Sequence, residues 1–482
     1  MASRATGGEV VHNDRRISPD RLRLILGGWS AGRGPLYGLL AGRLEAVVTA
    51  GILDDGDRLP SERQLASVLS VARGTVVRAY DELAGRGRAR RSRGSGTYVV
   101  GTAGATSSRR IDRATTRFIE PTWVLDLRVA RPSLMASVRN LVDRPALGEI
   151  AIDDRDAGDP AGLPALRTAI AERMTRDGVR TVPEEILVTN GGQHAAALVG
   201  MHLVGHRGRV AVESVTWPGF PDVVEHLGGR VERIPIGPGG VDLDLLAERI
   251  ARVEISFIAL NPHHHNPTGT RLTDRRRAAL VHLVDDAGVP LVEDRVLARL
   301  AFDGIVAPPL AALGRVRQRD RLHITIDSID KVAWPGLRVG WIRAPAPTIQ
   351  QLRTLRAMTD FAPPVQTQIA ALAILDDLDR IVHERIAQLQ TTCHRILDAL
   401  DTTLPGAVVQ RPSGGIALWI ELPRGTGHDF ALHAAACGVN VPSGSDYGAP
   451  SDDAHIRLPL TVEEPDLATA LARLAHAWTT FA

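Results

Sequence analysis

The 482-residue sequence has little cysteine, lysine and tyrosine, and it lacks long apolar runs. Its two cysteines, Cys393 and Cys437, are too few for a disulfide framework and do not have metal-site spacing, so we expect a reducing, cytoplasmic compartment. No stretch is apolar enough to span a membrane, and Met1 to Ser30 lacks the uninterrupted apolar core of a signal peptide. The net charge of +2 excludes polyanion binding over the whole surface, so any nucleic-acid site must be local.

Lysine is the scarcest charged residue, because all but one of the 57 basic positions are arginine. The one lysine, Lys331, has Ser328 three residues before it and Arg338 seven residues after it. A lysine amine can form a Schiff base with a carbonyl, and a hydroxyl with a guanidinium can grip a phosphate. The segment therefore predicts a pyridoxal phosphate site. A loop lysine before a buried strand is the plain alternative, whereas a Ser-x-x-Lys acylation site would need a second lysine.

Residues 35–100 carry the pattern of a small DNA-binding module. Apolar residues recur at helical spacing from Leu36 to Val48, and Ser61 with Gln64 forms a capping box that starts a second helix. A turn leads to Arg73–Leu83, whose length suits the major groove, so the two short helices predict a helix-turn-helix. The arginines and glycines that follow, up to Val99, predict a hairpin that lies along the phosphates as a wing.

The same stretch resembles the winged helix-turn-helix of the GntR regulators, through Leu-Pro-Ser-Glu-Arg-x-Leu-Ala, Arg-x-Thr-Val and Gly-x-Gly-Thr-Tyr-Val. The resemblance implies that the partner is double-stranded DNA and that Arg73 reaches base edges. Ala72 replaces the serine that often precedes the recognition helix, which leaves that helix without its usual cap. A basic module that binds another protein is the alternative. Further DNA contacts are implied for Ser61, Arg63, Thr75, Arg78, Arg93 and the wing tip Gly94, Ser95 and Gly96.

The remaining chain predicts an α/β domain. Residues 1–34 predict a loose N-terminal arm and residues 101–122 a linker, while from residue 123 to residue 482 short β-rich runs alternate with helical segments. Such alternation predicts a mostly parallel sheet covered on both faces, with ligands at the carboxyl ends of its strands. The predicted strands are Ile186–Thr189, Val210–Glu213, Ile255–Leu260, Leu291–Asp294 and Leu322–Ile326, and the predicted helices are Ala195–Val204, Asp242–Arg252 and Asp274–Asp286.

Candidate binding residues follow several of these strands. Gly191, Gly192 and Gln193 open a helix, so free backbone amides and the helix dipole would face a phosphate. Trp217 comes after the next strand and could stack on an aromatic ring, although a core position is the commoner fate of a tryptophan. Asp294 ends a further strand, where its carboxylate would pair with a pyridinium nitrogen and make the ring an electron sink.

Three consecutive histidines, His263, His264 and His265, raise the question of a metal site. Adjacent residues in a turn cannot all point at one ion, and no carboxylate lies at ligand spacing. We therefore expect no metal.

Over about residues 123–482 these segments resemble the fold-type-I, aspartate aminotransferase-like enzymes. The resemblance rests on Ser-x-x-Lys followed by Pro-Gly-Leu-Arg-x-Gly-Trp, on Asn-Pro-Thr-Gly, and on the order of the remaining motifs. It implies pyridoxal phosphate bound as an aldimine on Lys331, with the phosphate on Ser328 and Arg338. It places Asn266 on the pyridine 3-oxygen, and Arg457, in a small C-terminal subdomain from about residue 350, on a substrate carboxylate.

The MocR regulators have a GntR-type DNA-binding domain, here called the reader, fused to an aminotransferase-like domain. The resemblance implies a homodimer that binds an operator and responds to an amine, an amino acid or the vitamer itself. Two alternatives stay open. One is an active aminotransferase with a DNA-binding tether, and the other is a regulator that has lost pyridoxal phosphate and senses another ligand.

Tyrosine is scarce where such enzymes use it, because only Tyr447 of the four tyrosines lies in the large domain. Val296 or Leu297 stands where a phenol would bond the 3-oxygen, and Ala157 stands where a phenol would cross the dimer to the phosphate. Asp330 replaces a small hydroxyl residue beside the lysine. We therefore predict that pyridoxal phosphate still binds but that efficient transamination is lost.

Overall fold

The computed structural model describes residues 17–27, 29–30, 34–49, 53, 56–92, 96–100, 124–143, 158–205, 207–314, 323–450 and 453–481. The chain divides into two compact units: the first is the chain up to Val124 with Leu432–Gly438, and the second is the remainder. The predicted linker at 101–122 lies outside the described residues, as do Ala157 and the predicted DNA contacts Arg93, Gly94 and Ser95. In the described part, no helix is both long and apolar enough to cross a membrane.

The first unit consists of short helices and one hairpin. Its helices are α1 Pro19–Leu26, α2 Leu36–Thr49, α3 Glu62–Leu69 and α4 Arg73–Gly85, and its strands are β1 Ala89–Ser92 and β2 Gly96–Val99. The two strands pair antiparallel, from Ala89 opposite Val99 to Ser92 opposite Gly96. Helix α1 departs from the loose arm predicted for residues 1–34, because Leu22, Ile25 and Leu26 form an apolar stripe at helical spacing and are buried.

Capping explains where α3 and α4 begin. The Ser61 hydroxyl accepts from the Gln64 backbone N–H at 3.4 Å, and the Gln64 side chain accepts from the Ser61 N–H at 3.3 Å, which confirms the predicted capping box. Helix α4 begins at Arg73, and its N-cap residue Ala72 provides no side-chain cap, as expected from that substitution. Val76 and Tyr80 of α4 are buried, and the Tyr80 hydroxyl donates to the Pro60 carbonyl at 2.9 Å.

The second unit is built on a seven-stranded sheet in the order β4-β12-β11-β10-β9-β5-β6. Only β12 runs antiparallel to its neighbours, which confirms the predicted mostly parallel sheet. The predicted strands and helices are present with shifted ends; the helix predicted from Ala195, for example, begins at Gly192. The strands are β4 Ile186–Thr189, β5 Arg209–Glu213, β6 Arg230–Ile234, β9 Phe257–Leu260, β10 Leu291–Asp294, β11 His323–Ser328 and β12 Gly340–Arg343.

Helices cover both faces of this sheet. Successive residues of β9 enter different apolar clusters, since Phe257 and Ala259 pack in one and Ile258 and Leu260 in the other, as expected for a strand buried on both sides. The helices of the unit are α5 Ala136–Val142, α6 Pro164–Arg176, α7 Gly192–Leu203, α8 Gly219–His226, α9 Leu243–Arg252, α10 Asp274–Ala287, α11 Ala346–Thr359, α12 Val365–Asp376, α13 Leu378–Thr403, α14 Gly427–Ala436 and α15 Asp466–Thr480.

A smaller antiparallel sheet, in the order β13-β14-β16, follows α13 in the chain. Trp419 on its central strand stacks on His455 with ring centroids 4.9 Å apart. The bounds are β13 Val408–Val409, β14 Ala417–Glu421 and β16 His455–Pro459, and the remaining short strands are β3 Leu125–Asp126, β7 Ile236–Gly237, β8 Gly240–Val241 and β15 Val439–Asn440.

Candidate cofactor site and DNA-binding surface

Lys331 lies just after β11, and its amine is turned into the second unit. The Nζ atom donates to the backbone carbonyl of Ala130 at 2.7 Å. Burial, followed by the positive charges of Arg457 and Arg338, lowers the pKa of Lys331 to about 8, and the charge of Asp330 opposes that fall. A larger fraction of the amine is therefore neutral near physiological pH than for an exposed lysine, which is the form that attacks a carbonyl. Sequence reasoning missed Ala130, because any residue can supply a carbonyl.

Asp294 ends β10, as predicted. Its Oδ1 accepts from the Val296 N–H at 2.9 Å, and burial raises its pKa to about 6, with the charge of Asp327 adding to the effect. Burial makes the ionised form of a carboxylate unfavourable, and a nearby cation stabilises that form. Asp294 thus suits a protonated ring nitrogen.

Trp217 and Asp294 line one cleft at the carboxyl ends of β5, β9 and β10, together with Glu213, Thr216 and Asn261. The Trp217 ring lies against Gly219, where a Cβ atom would come within 2.1 Å of it, so only glycine fits there. The Gln193 side-chain amide donates to the Gly219 carbonyl at 3.3 Å. The structure therefore brings Trp217 and Asp294 together as the strand order predicts.

Glu213 is a buried acid of this cleft that sequence reasoning missed. It accepts from the Asn261 backbone N–H at 2.6 Å and from the Thr216 hydroxyl at 3.2 Å. Burial raises its pKa to about 7. Its position at the end of β5 was the available signal, because a carboxylate that ends a buried strand faces the same edge as Asp294.

Asn266 follows β9 in the turn that also contains the three histidines. Its Oδ1 atom is buried and has no hydrogen-bond partner among the described residues, so a donor on a bound group would satisfy it, whereas Nδ2 is the atom that could donate to a 3-oxygen. His263 Nε2 instead lies 2.7 Å from Glu293 Oε1, and His265 Nδ1 lies 2.9 Å from Thr268 Oγ1.

The charge state of the histidines follows from their surroundings. Burial lowers the pKa of His263 and of His265 to about 3 each, and that of His264 to about 4. Across the described ranges, no cluster of three or more histidine, cysteine, aspartate or glutamate side chains could hold a metal ion.

The predicted phosphate residues lie together, but both side-chain donors already have partners. Gly191, at φ +82°, precedes α7 and faces Arg338. Arg338 adopts a left-handed φ of 53° in the turn before β12, which begins at Gly340. Its Nη1 donates to Asp330 Oδ2 at 2.7 Å. The Ser328 hydroxyl donates to the Val339 carbonyl at 3.0 Å, so both expected phosphate donors have partners within the protein.

Arg457 lies on β16 and is buried, with one nitrogen engaged and two unpaired. Its Nη1 donates to the Tyr447 phenolic oxygen and, at 3.3 Å, to the Arg128 carbonyl. Its Nε and Nη2 are buried without a hydrogen-bond partner in the part of the chain that the structure describes. A carboxylate would satisfy them, since arginine binds carboxylates through two parallel N–H groups. Sequence reasoning left Tyr447 without a role.

These residues fit pyridoxal phosphate in most respects. An amine of lowered pKa, a strand-end carboxylate, an aromatic ring in the same cleft and the unpaired buried N–H groups of Arg457 provide complementary groups. The expected phosphate site, formed by Ser328 and Arg338, fits less well, because Arg338 already forms an ion pair with Asp330.

Exposed arginines lie on α3, α4 and the hairpin of the first unit. Arg63, Arg73 and Arg78 are exposed, and Thr75 is half-buried in the first turn of α4. The Arg78 guanidinium lies 5.5 Å from the centre of the Tyr37 ring. The Ser61 hydroxyl caps α3, so a phosphate contact would have to share it. Gly96 adopts φ +115° at the start of β2, a conformation that favours glycine.

Two family descriptions match the chain. Residues 153–474 match Aminotransferase class I and II, and residues 36–99 match Bacterial regulatory proteins, gntR family. The HTH-type pyridoxine biosynthesis transcriptional regulator PdxR of Corynebacterium glutamicum is 29% identical, over 85% of this chain and 88% of its own length. The HTH-type transcriptional regulator TauR of Rhodobacter capsulatus is also 29% identical, over 86% of this chain and 90% of its own length.

Enzymes are also similar to this chain. The 2-aminoadipate transaminase of Thermus thermophilus is 31% identical, over 68% of this chain and 82% of its own length. Among solved structures, the alpha-aminoadipate aminotransferase LysN of Thermus thermophilus, complexed with N-(5'-phosphopyridoxyl)-L-leucine, has a TM-score of 0.69 at 27% identity, and the match covers 78% of this chain and 96% of LysN.

Proposed function

This chain belongs to the MocR-type transcriptional regulators, in which a GntR-family reader precedes a class I and II aminotransferase domain, and from that premise we propose that its DNA binding responds to an amine or amino acid. The observation that supports an amine effector is the set formed by Lys331, Asp294 and Arg457 in one unit with a GntR-type reader in the same chain. Pyridoxal phosphate is the cofactor of this fold, and its aldehyde takes amines covalently while its ring withdraws electrons.

Each residue of the site has a task in this proposal. Lys331 would hold the cofactor, and Asp294 would keep a proton on the ring nitrogen. Trp217 would cover the ring, and Asn266 would donate to its 3-oxygen. Arg457 would bind the carboxylate of an amino-acid effector through Nε and Nη2, the two nitrogens that lack partners among the described residues.

An effector can change DNA affinity only as far as it binds the DNA-binding and non-binding arrangements with different affinity. We therefore propose that an incoming amine takes over the position of the Lys331 amine and that an α-carboxylate adds selectivity through Arg457. Release of the lysine would also return the free amine, which is the form that donates to the Ala130 carbonyl. The exchange thus changes contacts of the protein itself, which a ligand must do in order to act as a switch.

Fluorescence anisotropy with the DNA upstream of its own gene tests the proposal. Wild-type protein loaded with pyridoxal phosphate should change its DNA affinity when amino acids are titrated, and Lys331→Ala should bind the same DNA without that response. Visible spectra taken on the same samples should show a cofactor band in the wild type alone. A wild type that is colourless, or that responds to amines as the variant does, would contradict the proposal.

The proposal also includes an oligomeric state and a cellular compartment. We propose that the regulator is a homodimer whose two readers cover paired half-sites, which light scattering with and without operator would test. We also place it in the cytoplasm, with its DNA target. Cys393 and Cys437, both within the described residues, are not in disulfides, which is compatible with that compartment.

Aminotransferase activity is a second candidate function, because the second unit keeps a lysine, a strand-end aspartate and a buried arginine. The lack of a tyrosine at Val296 and Leu297, which follow Asp294 closely, argues against efficient turnover. Single-turnover spectra with amino acids separate the two. Conversion of the bound cofactor to its amine form would favour the enzyme, and a reversible spectral change would favour the regulator.

A further inference from the structure

Asp330 places a negative charge among the groups expected to hold the cofactor's phosphate. Its Oδ2 accepts from Arg338 Nη1 at 2.7 Å, and its Oδ1 accepts from the Val339 N–H at 3.3 Å. The Asp330 side chain is only 8% exposed, whereas that of Arg338 is 51% exposed. The carboxylate is therefore turned inward, and the guanidinium lies closer to solvent.

The glycine loop faces the same carboxylate. A Cβ atom on Gly191 would lie 2.6 Å from Asp330 Oδ2 and 2.6 Å from Arg338 Nη2. Helix α7 begins one residue later, and the first amides of a helix carry its positive end. Asp330 thus lies beside a helix N-terminus and a guanidinium, the two groups that would attract a phosphate.

Ser328, the other side-chain donor expected at the phosphate, also has hydrogen-bond partners within the protein. The Ser328 hydroxyl donates to the Val339 carbonyl and accepts from the Asp330 N–H, both at 3.0 Å. The second arm of Arg338 donates to the Asn190 carbonyl at 2.7 Å. A hydroxyl has one proton to give, so Ser328 would have to break its bond to donate to a phosphate.

We propose that Asp330 determines cofactor affinity and selectivity, because its carboxylate competes with the phosphate of pyridoxal phosphate for Arg338. The proposal rests on the proposed function, since it takes Lys331 as the attachment point. A phosphate close to a buried carboxylate meets like-charge repulsion that a hydroxyl residue would not cause. The phosphate would then add little to binding, so that the cofactor exchanges and the site discriminates weakly between phosphorylated and unphosphorylated pyridoxal.

A purely structural role for Asp330 makes a different prediction. If its carboxylate only orders Arg338, its removal would weaken the binding of pyridoxal phosphate or would unfold the site. Burial raises the pKa of Asp330 to about 6, and the charges of Arg338 and Lys331 oppose that rise, so the carboxylate is mostly ionised at neutral pH. Its charge is therefore present under the conditions of the measurement.

The test compares the affinities of the full-length protein for pyridoxal phosphate and for pyridoxal, measured by visible titration and equilibrium dialysis. Asp330→Asn keeps the shape and removes the charge, and Asp330→Ser introduces a small hydroxyl. Asp398→Asn, an exposed position on α13, removes one carboxylate away from the site as the matched control. Thermal unfolding establishes that each variant is folded.

Both Asp330 variants should bind pyridoxal phosphate at least about tenfold more tightly than wild type, with pyridoxal changed by less than about threefold, and the control should change neither. An unchanged affinity ratio in folded variants would overturn the inference while leaving the proposed function intact. Uptake of pyridoxal phosphate by the variants but not by wild type would support the inference and contradict the proposed function. Failure of all proteins to take it up would overturn both.

Discussion

The phenolic oxygen of Tyr447 accepts a hydrogen bond from Nη1 of Arg457, ten residues further along the chain. This contact fixes one arm of a buried guanidinium and leaves Nε and Nη2 without partners among the described residues. Those two nitrogens form one edge of the guanidinium plane, the edge that a carboxylate can bind with both oxygens. Tyr447 is therefore a positioning residue for the proposed carboxylate site.

Tyr447→Phe should weaken the binding of amino-acid effectors roughly tenfold, because Nη1 of Arg457 loses a buried acceptor and the guanidinium is no longer held in place. Phenylalanine retains the edge-on contact with Trp419, whose ring centre lies 6.0 Å away. Spectral titration of cofactor-loaded protein with alanine and with ethylamine measures the effect. Ethylamine lacks the carboxylate and should bind both proteins equally. Equal losses for alanine and ethylamine would show that Tyr447 does not act through Arg457.

The arrangement around this site was predictable where the topology imposes it. Parallel strands end at one edge of a sheet, so Trp217 and Asp294, which follow different strands, had to approach each other. The Ala130 carbonyl on Lys331 and the Tyr447 phenol on Arg457 come from distant or irregular segments, and no local pattern marks them. The pairing of Asp330 with Arg338 depends on the backbone turn between them, which hydrophobic periodicity does not encode.

The lowered pKa of Lys331 predicts a specific pH dependence of cofactor uptake. The neutral amine attacks the aldehyde, and its fraction rises as the pH increases through the pKa, here about 8. The rate at which cofactor-free protein gains its visible band should reach half of its maximum at about pH 8 and level off roughly one pH unit above that. An ordinary lysine would give a rate that still rises at about pH 10. Stopped-flow absorbance distinguishes the two profiles.

Arg457→Ala provides the matched variant for that profile. Burial is the larger cause of the lowered pKa and persists in the variant, whereas the positive charge of Arg457 is removed. The point at which the rate levels off should therefore move to higher pH in Arg457→Ala without reaching the value of an exposed lysine. A shift to lower pH would contradict the assigned cause.

The missing cap of α4 predicts a stabilising substitution in the first unit. Ala72 has the extended backbone of an N-cap residue, at φ −63° and ψ 140°, and it is exposed, but it offers no side-chain oxygen. Ala72→Ser should therefore raise the free energy of unfolding of this unit by about 0.5–2 kcal/mol. Ser61→Ala, which removes the existing cap of α3, should lower it by a similar amount. Urea denaturation followed by circular dichroism measures the free energy of unfolding of both variants. An unchanged value in Ala72→Ser would show that the first backbone amides of α4 already have hydrogen-bond partners.

Two exposed arginines of the reader should have separable effects on DNA binding. Arg73 is the first residue of α4, where a recognition helix meets base edges, so Arg73→Ala should cost about 1–3 kcal/mol on the operator and little on unrelated DNA. Arg63 lies in the first turn of α3, and a phosphate contact there should support all sequences alike. Arg63→Ala should thus weaken operator and unrelated DNA equally and should reduce the salt dependence of binding by about one counterion. Anisotropy titrations at several salt concentrations separate these outcomes. If Arg73→Ala lowers the affinity for both DNAs by the same factor, then Arg73 binds the phosphate backbone and base recognition belongs to other residues of α4.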